Sequence, residues 1–388
     1  MKKQIGLICA FVVAFAGQAQ TNINLTCLVN FIGTINGTNG AMPSGDLTLA
    51  SDGNFYGLTE VGGTNITSSG GSAGTAYKMT PDGILTTLCS FGFGCGDWPS
   101  GSLVQAKDGY FFGTTLHGGP LGGGTVFQMS PEGTLKTVCS SFGDYNEQGG
   151  DCTNGWAPNG LYRGIDGNFY GVTCDYGFSG GATIFRITPS GKLAILQTFL
   201  GRQSAHPSPP LLFSRNGDLF GTVGGELFRI NSNGQFSTNI SYNGIIGPLP
   251  VAGLIRGRDG FVFGVFTCGA KGGCILKVSG DGKLSTVANI VFTNASFQCP
   301  SGELIEASDG NFYGFVYSER TVNGYRQNVS TILRLKPDGK LNSIFEFMGA
   351  RPNSALVQGK NGKIYGTTAG IGGSDQGTIF CFTPDNSN

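Results

Sequence analysis

The chain has 388 residues, 68 of them glycine, and its 24 basic and 24 acidic side chains leave no formal net charge at pH 7. Without a basic tract, nucleic acid is not an expected partner, and no stretch beyond the N-terminus reaches the 18 apolar residues of a transmembrane segment. The two histidines, His117 and His206, fall in different loops with no ligand or triad spacing around them, so no metal and no cofactor is expected.

Residues 1–19 read as an export signal. Lys2 and Lys3 precede an apolar run from Ile5 to Phe15, and Gly17-Gln18-Ala19 ends at a cleavage site before Gln20. The mature protein, from residue 20 onward, is expected to be a secreted or periplasmic monomer. Of the 11 cysteines only Cys9 lies in the leader, and the even number that remains in an exported chain argues for disulfides.

One repeat then runs to the end of the chain. Its anchors are Asp52-Gly53, Asp108-Gly109, Asp166-Gly167, Asn216-Gly217, Asp259-Gly260, Asp309-Gly310 and Asn361-Gly362, each followed by an aromatic or aliphatic run and a glycine. They stand roughly 43 to 58 residues apart, the period of propeller blades. In the second repeat, Pro99 to Ala106 reads as a strand and Asp108-Gly109 as a two-residue hairpin turn. Tyr110 to Thr115, Gly124 to Met129 and Leu135 to Cys139 follow as three further strands, giving a four-stranded meander.

Bulky neighbours such as Phe55 and Tyr56 require that the second strand be buried on both faces, as stacked blades allow. The glycine that closes each motif (Gly57, Gly113, Gly171, Gly221, Gly264, Gly314, Gly366) reads as a place where another backbone comes close. The last repeat ends after a third strand, Gly377 to Phe382, while Leu25 to Phe31 matches the fourth strand and following residues Leu85 to Phe91. The expected fold is therefore all-β: a single seven-bladed β-propeller of four-stranded antiparallel blades over 20–388, with the N-terminal strand completing the last blade.

The run Asp-Gly-Asn-Phe-Tyr-Gly, followed by Gly-Thr-x-Phe-x-x-Thr/Ser-Pro-x-Gly-x-Leu-x-Thr, resembles the GloVer-type tandem-repeat family of exported bacterial proteins over nearly all of the mature chain. That resemblance implies an extracellular repeat protein. It brings no catalytic or binding residues with it, and the sorting segment common in that family is not expected here.

A meander alternates its turns between two rims. The tight Asp-Gly and Pro-x-Gly turns share one, and the long loops share the other, where binding on a rigid framework usually resides. Both tryptophans, Trp98 and Trp156, read onto the loop-rich rim at related places, with Asp97, Tyr145 and Asp151 nearby as polar contacts for a ligand. Flat aromatics beside carboxylates suit a sugar or a partner's basic residue, although each Trp could equally cover a blade seam.

Other chemistry is weaker. The G-x-S-x-G strings at Gly70 to Gly74 and Gly177 to Gly181 join no strand to a helix and are not nucleophile elbows. The Asp of each Asp-Gly pair reads as a turn residue and not a calcium ligand. Among the cysteines, Cys27 with Cys381 would lock the chain ends if they face each other across the last hairpin, and Cys268 with Cys274 would bridge another hairpin. Cys89 with Cys95 and Cys139 with Cys152 follow from proximity, leaving Cys174 with Cys299. The leading functional expectation is a non-catalytic recognition module for a polysaccharide or protein. The alternatives are a structural surface or matrix protein and a propeller glycan lyase, hydrolase or lactonase.

Overall fold

The Asp-Gly pairs do turn the chain, through a three-residue loop and not the expected two-residue turn. Gly53 donates its N–H to Ala50 O and Ala50 donates to Asn54 O, with Gly53 at φ +84°. The same closure recurs at Gly109, Gly167, Gly217, Gly310 and Gly362, each with positive φ, a conformation glycine adopts without a Cβ clash.

The aspartate is occupied by this turn. Asp52 accepts hydrogen bonds from the Asn54 N–H (3.0 Å), the Asn54 side chain (2.9 Å), the Tyr56 hydroxyl (3.1 Å) and Lys78 (2.9 Å). Asp166 and Asp309 accept the equivalent bonds from Asn168 with Tyr170 and from Asn311 with Tyr313.

The computed structural model describes residues 23–31, 40–65, 67, 71–92, 94–143, 154–174, 182–199, 207–214, 217–223, 226–231, 233–240, 250–256, 262–267, 272–278, 284–291, 296–322, 325–336, 340–348, 351–352, 354–369 and 376–384. The proposed leader and its cleavage site lie outside them.

Blade one is Ala41–Leu49, Phe55–Val61, Thr75–Met79 and Leu85–Ser90, hydrogen-bonded in that order. Blade two is Asp97–Gln105, Phe111–His117, Thr125–Met129 and Leu135–Cys139, and blade three is Trp156–Arg163, Phe169–Cys174, Ala182–Ile187 and Leu193–Phe199. Blades four, five and six begin at Pro207–Phe213, Pro250–Arg256 and Ser296–Glu306 and repeat the pattern. The first strands of successive blades touch one another, so they form the inner ring of a β-propeller.

The expected count of seven four-stranded blades is corrected by the sheet topology: six sheets are four-stranded blades, and the sheet that joins the chain ends has five strands. There Thr26–Asn30 pairs antiparallel with Thr378–Phe382, which pairs with Ile364–Ala369. Two short segments, Arg351–Pro352 and Val357–Gln358, pair with Ile364–Ala369 where each blade has one continuous first strand.

Two residues after the strand-opening proline, the first three blades carry Gly45, Gly101 and Gly160 at φ +68°, +73° and +70°, while the first strands of blades four and five continue with Pro209 and Ala252 at that place. The closing sheet has Ser354 at that place, and its hydroxyl instead accepts the Thr367 N–H (3.1 Å) and the Thr367 Oγ1–H (2.7 Å).

Packing between blades explains the paired aromatics. Side chains alternate across a strand, so Phe55 meets Tyr365 of the closing sheet (ring centroids 4.2 Å) while Tyr56 meets Phe111 of blade two (4.2 Å). Phe112 then meets Phe169 of blade three (4.3 Å), and Tyr170 meets Phe213 of blade four (4.8 Å). Each pair contributes about 0.5–1.5 kcal/mol beyond its burial.

The motif-closing glycine serves the same packing. A Cβ at Gly57, Gly113, Gly171, Gly221 or Gly366 would lie 2.4–2.6 Å from the ring of Tyr77, Phe127, Phe185, Phe228 or Phe380. An aromatic ring from the third strand thus fills the space that the sequence reading assigned to another backbone, and at Gly171 the backbone carbonyl of Gly160 is close as well, at 2.7 Å.

Candidate functional site

Three strand-opening prolines, Pro43, Pro99 and Pro158, allow the rim of the first three blades to be compared position by position. The residue before each proline, Met42, Trp98 and Ala157, is left-handed at φ +57°, +55° and +53°. Such backbone costs of order 1–3 kcal/mol in a non-glycine residue. In each case the N–H is aimed at the preceding sheet: Met42 donates to Gln376 O (2.8 Å), Trp98 to Ala73 O (3.1 Å) and Ala157 to Gly123 O (2.9 Å). The strain thus belongs to blade docking. It fixes where the Trp98 side chain leaves the rim.

The two tryptophans are not equivalent. Trp98 precedes its proline directly and Trp156 stands one residue earlier, in the place that Asp97 holds in blade two. Trp98 is 46% exposed and meets His117 edge-on at 5.4 Å between ring centroids. Trp156 is half-buried over glycines: a Cβ at Gly143 would lie 2.9 Å from its Cε3, and one at Gly122 would lie 3.9 Å from its Cη2. Trp156 therefore packs the seam after blade two, and Trp98 offers a free aromatic surface.

Asp97 lies directly opposite His117 in the ladder and is 6% exposed. Its Oδ1 is buried without a hydrogen-bond partner. Burial pushes the Asp97 carboxyl above the usual carboxylate range, and the charge of His117 acts in the opposite direction. Tyr145 and Asp151 lie outside the described residues, as does His206. His117, read from the sequence as a loop residue, instead ends the strand Phe111–His117. Its signal is positional, because it occupies the strand end where blade one has Val61.

Several expectations resolve as packing. Ser72 of the first G-x-S-x-G string is buried and accepts the Gly62 N–H (2.8 Å), which pins its loop. Threonine pairs close the rim of three blades and the closing sheet: Thr59 with Thr75, Thr115 with Thr125, Thr173 with Thr183 and Thr368 with Thr378, at 2.7–2.9 Å. Among the described residues no group of three His, Cys, Asp or Glu is arranged to hold a metal ion, and no helix is long and apolar enough to cross a membrane.

The closure disulfide is corrected by the register. Cys27 lies opposite Phe380 and Cys381 opposite Thr26, so the two cysteines differ by one step and point to opposite faces. Cys27 is exposed and Cys381 is buried. Cys89, Cys95 and Cys139 are thiols, with burial pushing Cys89 up to about 12. Cys268 and Cys152 lie outside the described residues. Cys274 lies in the strand Gly272–Val278 opposite Phe266.

A family model described as the Gloeobacter/Verrucomicrobia repeat matches residues 19–222 and 157–380. No curated protein matches the chain. Among solved structures, the extracellular domain of a protein provisionally assigned as a one-component system from B. thetaiotaomicron is similar at 12% identity and a TM-score of 0.55. That match covers 94% of this chain and 42% of the other, so the chain spans less than half of that protein.

An ulvan lyase of a polysaccharide lyase family, solved with -[GlcA(1-4)Rha3S]- bound, is similar at 10% identity and a TM-score of 0.56, covering 93% of this chain and 95% of that one. A protein from Bacteroides uniformis provisionally assigned as a 6-phosphogluconolactonase is similar at 16% identity and a TM-score of 0.50, covering 85% and 88%. At these identities the likeness is one of fold, and the neighbours differ in what they do.

Proposed function

The chain belongs to the Gloeobacter/Verrucomicrobia repeat family, and on that premise we propose that it is an exported, non-catalytic recognition module. It would hold a polysaccharide or protein ligand on the loop-rich rim, with Trp98 as the central contact. One observation carries this reading. Met42 and Ala157 perform the same backbone docking as Trp98 with small or flexible side chains, so the fold does not call for a large indole at that place. An indole left 46% exposed beside an imidazole is what a binding surface uses.

The test is retention on a glycan array and on immobilised protein ligands, for the wild type and for Trp98→Ala. The variant should melt as the wild type does, since blade three carries alanine at the equivalent position, and should lose at least about tenfold in affinity, or about 1.4 kcal/mol. Undiminished binding by the variant would move the site elsewhere. A second reading, a propeller enzyme acting on a glycan, is favoured by the carboxyl of Asp97 facing the imidazole of His117. Release of new reducing ends or unsaturated products from an incubated polysaccharide would select it.

A further inference from the structure

The seam between blades one and two differs chemically from the seams on either side of it. In Phe55–Val61, Tyr56 and Leu58 enter the core shared with Phe111 and Phe127 of blade two. Glu60 follows two residues later, so strand alternation turns it toward blade two as well. In Phe111–His117 the face that carries Phe111 into that core also carries Thr115 and His117. His117 therefore looks back toward blade one, with Asp97 opposite it.

Trp98 completes the group. Its N–H is bonded to Ala73 O in the blade-one loop, and a Cβ at the adjoining Gly74 would lie 2.4 Å from Thr59 O, beside Glu60, and 2.6 Å from Pro99 Cδ. Asp97, His117 and Trp98 thus meet at the rim end of one seam, and Glu60 stands near the rim end of the blade-one strand on the face turned toward them.

Among the described residues the neighbouring seams carry no such group. Between the closing sheet and blade one the corresponding residues are Ala369, Ala41, Met42 and Val61, and between blades two and three they are Leu116, Trp156 and Ala157. The counterpart of His117 there, Asp175, lies outside the described residues. The seam between the closing sheet and blade one is built from the same backbone with an apolar set, so the fold does not require titratable groups here. Burial raises the Glu60 carboxyl above its ordinary range, as it does that of Asp97.

We infer that this seam is the binding site for a neutral, hydroxyl-bearing saccharide, with Trp98 against the sugar face and Glu60 and His117 hydrogen-bonding its hydroxyls. The inference rests on the reading of the rim as a recognition surface and adds the ligand's charge class. Neither Lys nor Arg belongs to this group, so a uronate or sulfated sugar would bring like charge beside Glu60 and the buried Asp97. Asp97 stands behind His117 as a positioning residue.

The experiment uses the full chain at pH 7 with four probes: neutral hexaoses of glucose, mannose and xylose, and hexagalacturonate. The wild type, Trp98→Ala, Glu60→Leu and Glu60→Lys are titrated calorimetrically after their melting curves are matched. Leucine is the residue that blade two carries at the Glu60 position, so this substitution is compatible with the fold. A neutral hexaose should bind the wild type and weaken at least tenfold in Glu60→Leu and in Trp98→Ala, while Glu60→Lys should gain affinity for hexagalacturonate.

Preference of the wild type for hexagalacturonate overturns the inference. So does undiminished binding of a neutral hexaose by both Glu60 variants when Trp98→Ala has lost it, an outcome that leaves the rim reading standing. Retention of none of the four probes by the wild type overturns the saccharide inference, and protein binding that depends on Trp98 would then keep the rim reading alone.

Discussion

Replacing Gly113 by alanine probes the packing that organises every blade. The added Cβ would lie 2.4 Å from Phe127 Cζ, 2.9 Å from its Cε1 and 3.2 Å from Leu103 Cδ2. Phe127 is fully buried and is held edge-on against Phe91 at 4.9 Å between centroids, so its ring has no free direction of retreat. Gly113 is not left-handed, and alanine there incurs no backbone strain of that kind; the penalty is steric overpacking, about 3 kcal/mol.

Phe127→Ala should cost about 3–5 kcal/mol through lost contacts and a cavity. In the double variant the new methyl enters the space that the ring has left, so the total should stay near that of Phe127→Ala alone. Urea unfolding of the four proteins gives the coupling directly. Additivity to within about 0.5 kcal/mol would refute the claim that the glycine exists to admit the ring.

Two further outcomes follow from the turn carboxylates. Asp309→Ala removes the acceptor for the Asn311 N–H (3.0 Å), the Asn311 side chain (2.9 Å) and the hydroxyl of buried Tyr313 (2.7 Å), and should cost about 2–3 kcal/mol in urea unfolding; a loss below about 0.5 kcal/mol would count against it. At Asp52 burial favours the neutral acid, but hydrogen bonds from Lys78, Asn54 and Tyr56 outweigh it and hold the carboxyl well below the usual range; at Asp166 burial is likewise outweighed, by Asn168 and Tyr170. With folded values below unfolded ones, this stabilisation is complete above the unfolded carboxylate pKa of about 3.9 and is lost as pH falls through the lowered values. Melting curves from neutral to strongly acidic pH should therefore fall below about pH 4, and Asp52→Asn should flatten that fall; an unchanged slope in the variant would contradict the assignment.

The parts of the fold legible in the sequence are those decided by neighbours in the chain. Asp-Gly pairs forced tight turns, and consecutive aromatics demanded burial on both strand faces. What was hidden depends on partners fixed only by register. Gly57 and Gly113 face aromatic rings from the third strand, which no local pattern discloses. The first strand of the closing sheet is divided into Arg351–Pro352 and Val357–Gln358, and no single residue announces the break, since Pro209 and Ala252 stand at the Ser354 place in first strands that stay continuous. Cys27 and Cys381 lie a single step out of register, and one step is enough to place them on opposite faces.

The rim shows the same dependence on register. Trp98 and Trp156 stand at related places, and counting back from the proline separates them by one position and gives them different surroundings. The same counting would have exposed His117 and Glu60, since they stand where the adjoining sheets place Val61 and Leu116 or Ala369.

A repeat protein carries several copies of each structural position, and this separates the two kinds of constraint on a residue. Threonine pairs, left-handed residues before proline and Asp–Tyr hydrogen bonds recur from blade to blade, so blade formation accounts for them. Where one copy replaces an apolar set with Glu60, Asp97, Trp98 and His117, blade formation no longer accounts for the choice. Burying an incompletely paired carboxyl such as that of Asp97 opposes folding. A neutral residue, as in Ala41 of blade one, would remove that cost without altering the ladder. The retained cost, which the seam between the closing sheet and blade one does not carry, is the ground on which we propose a ligand here.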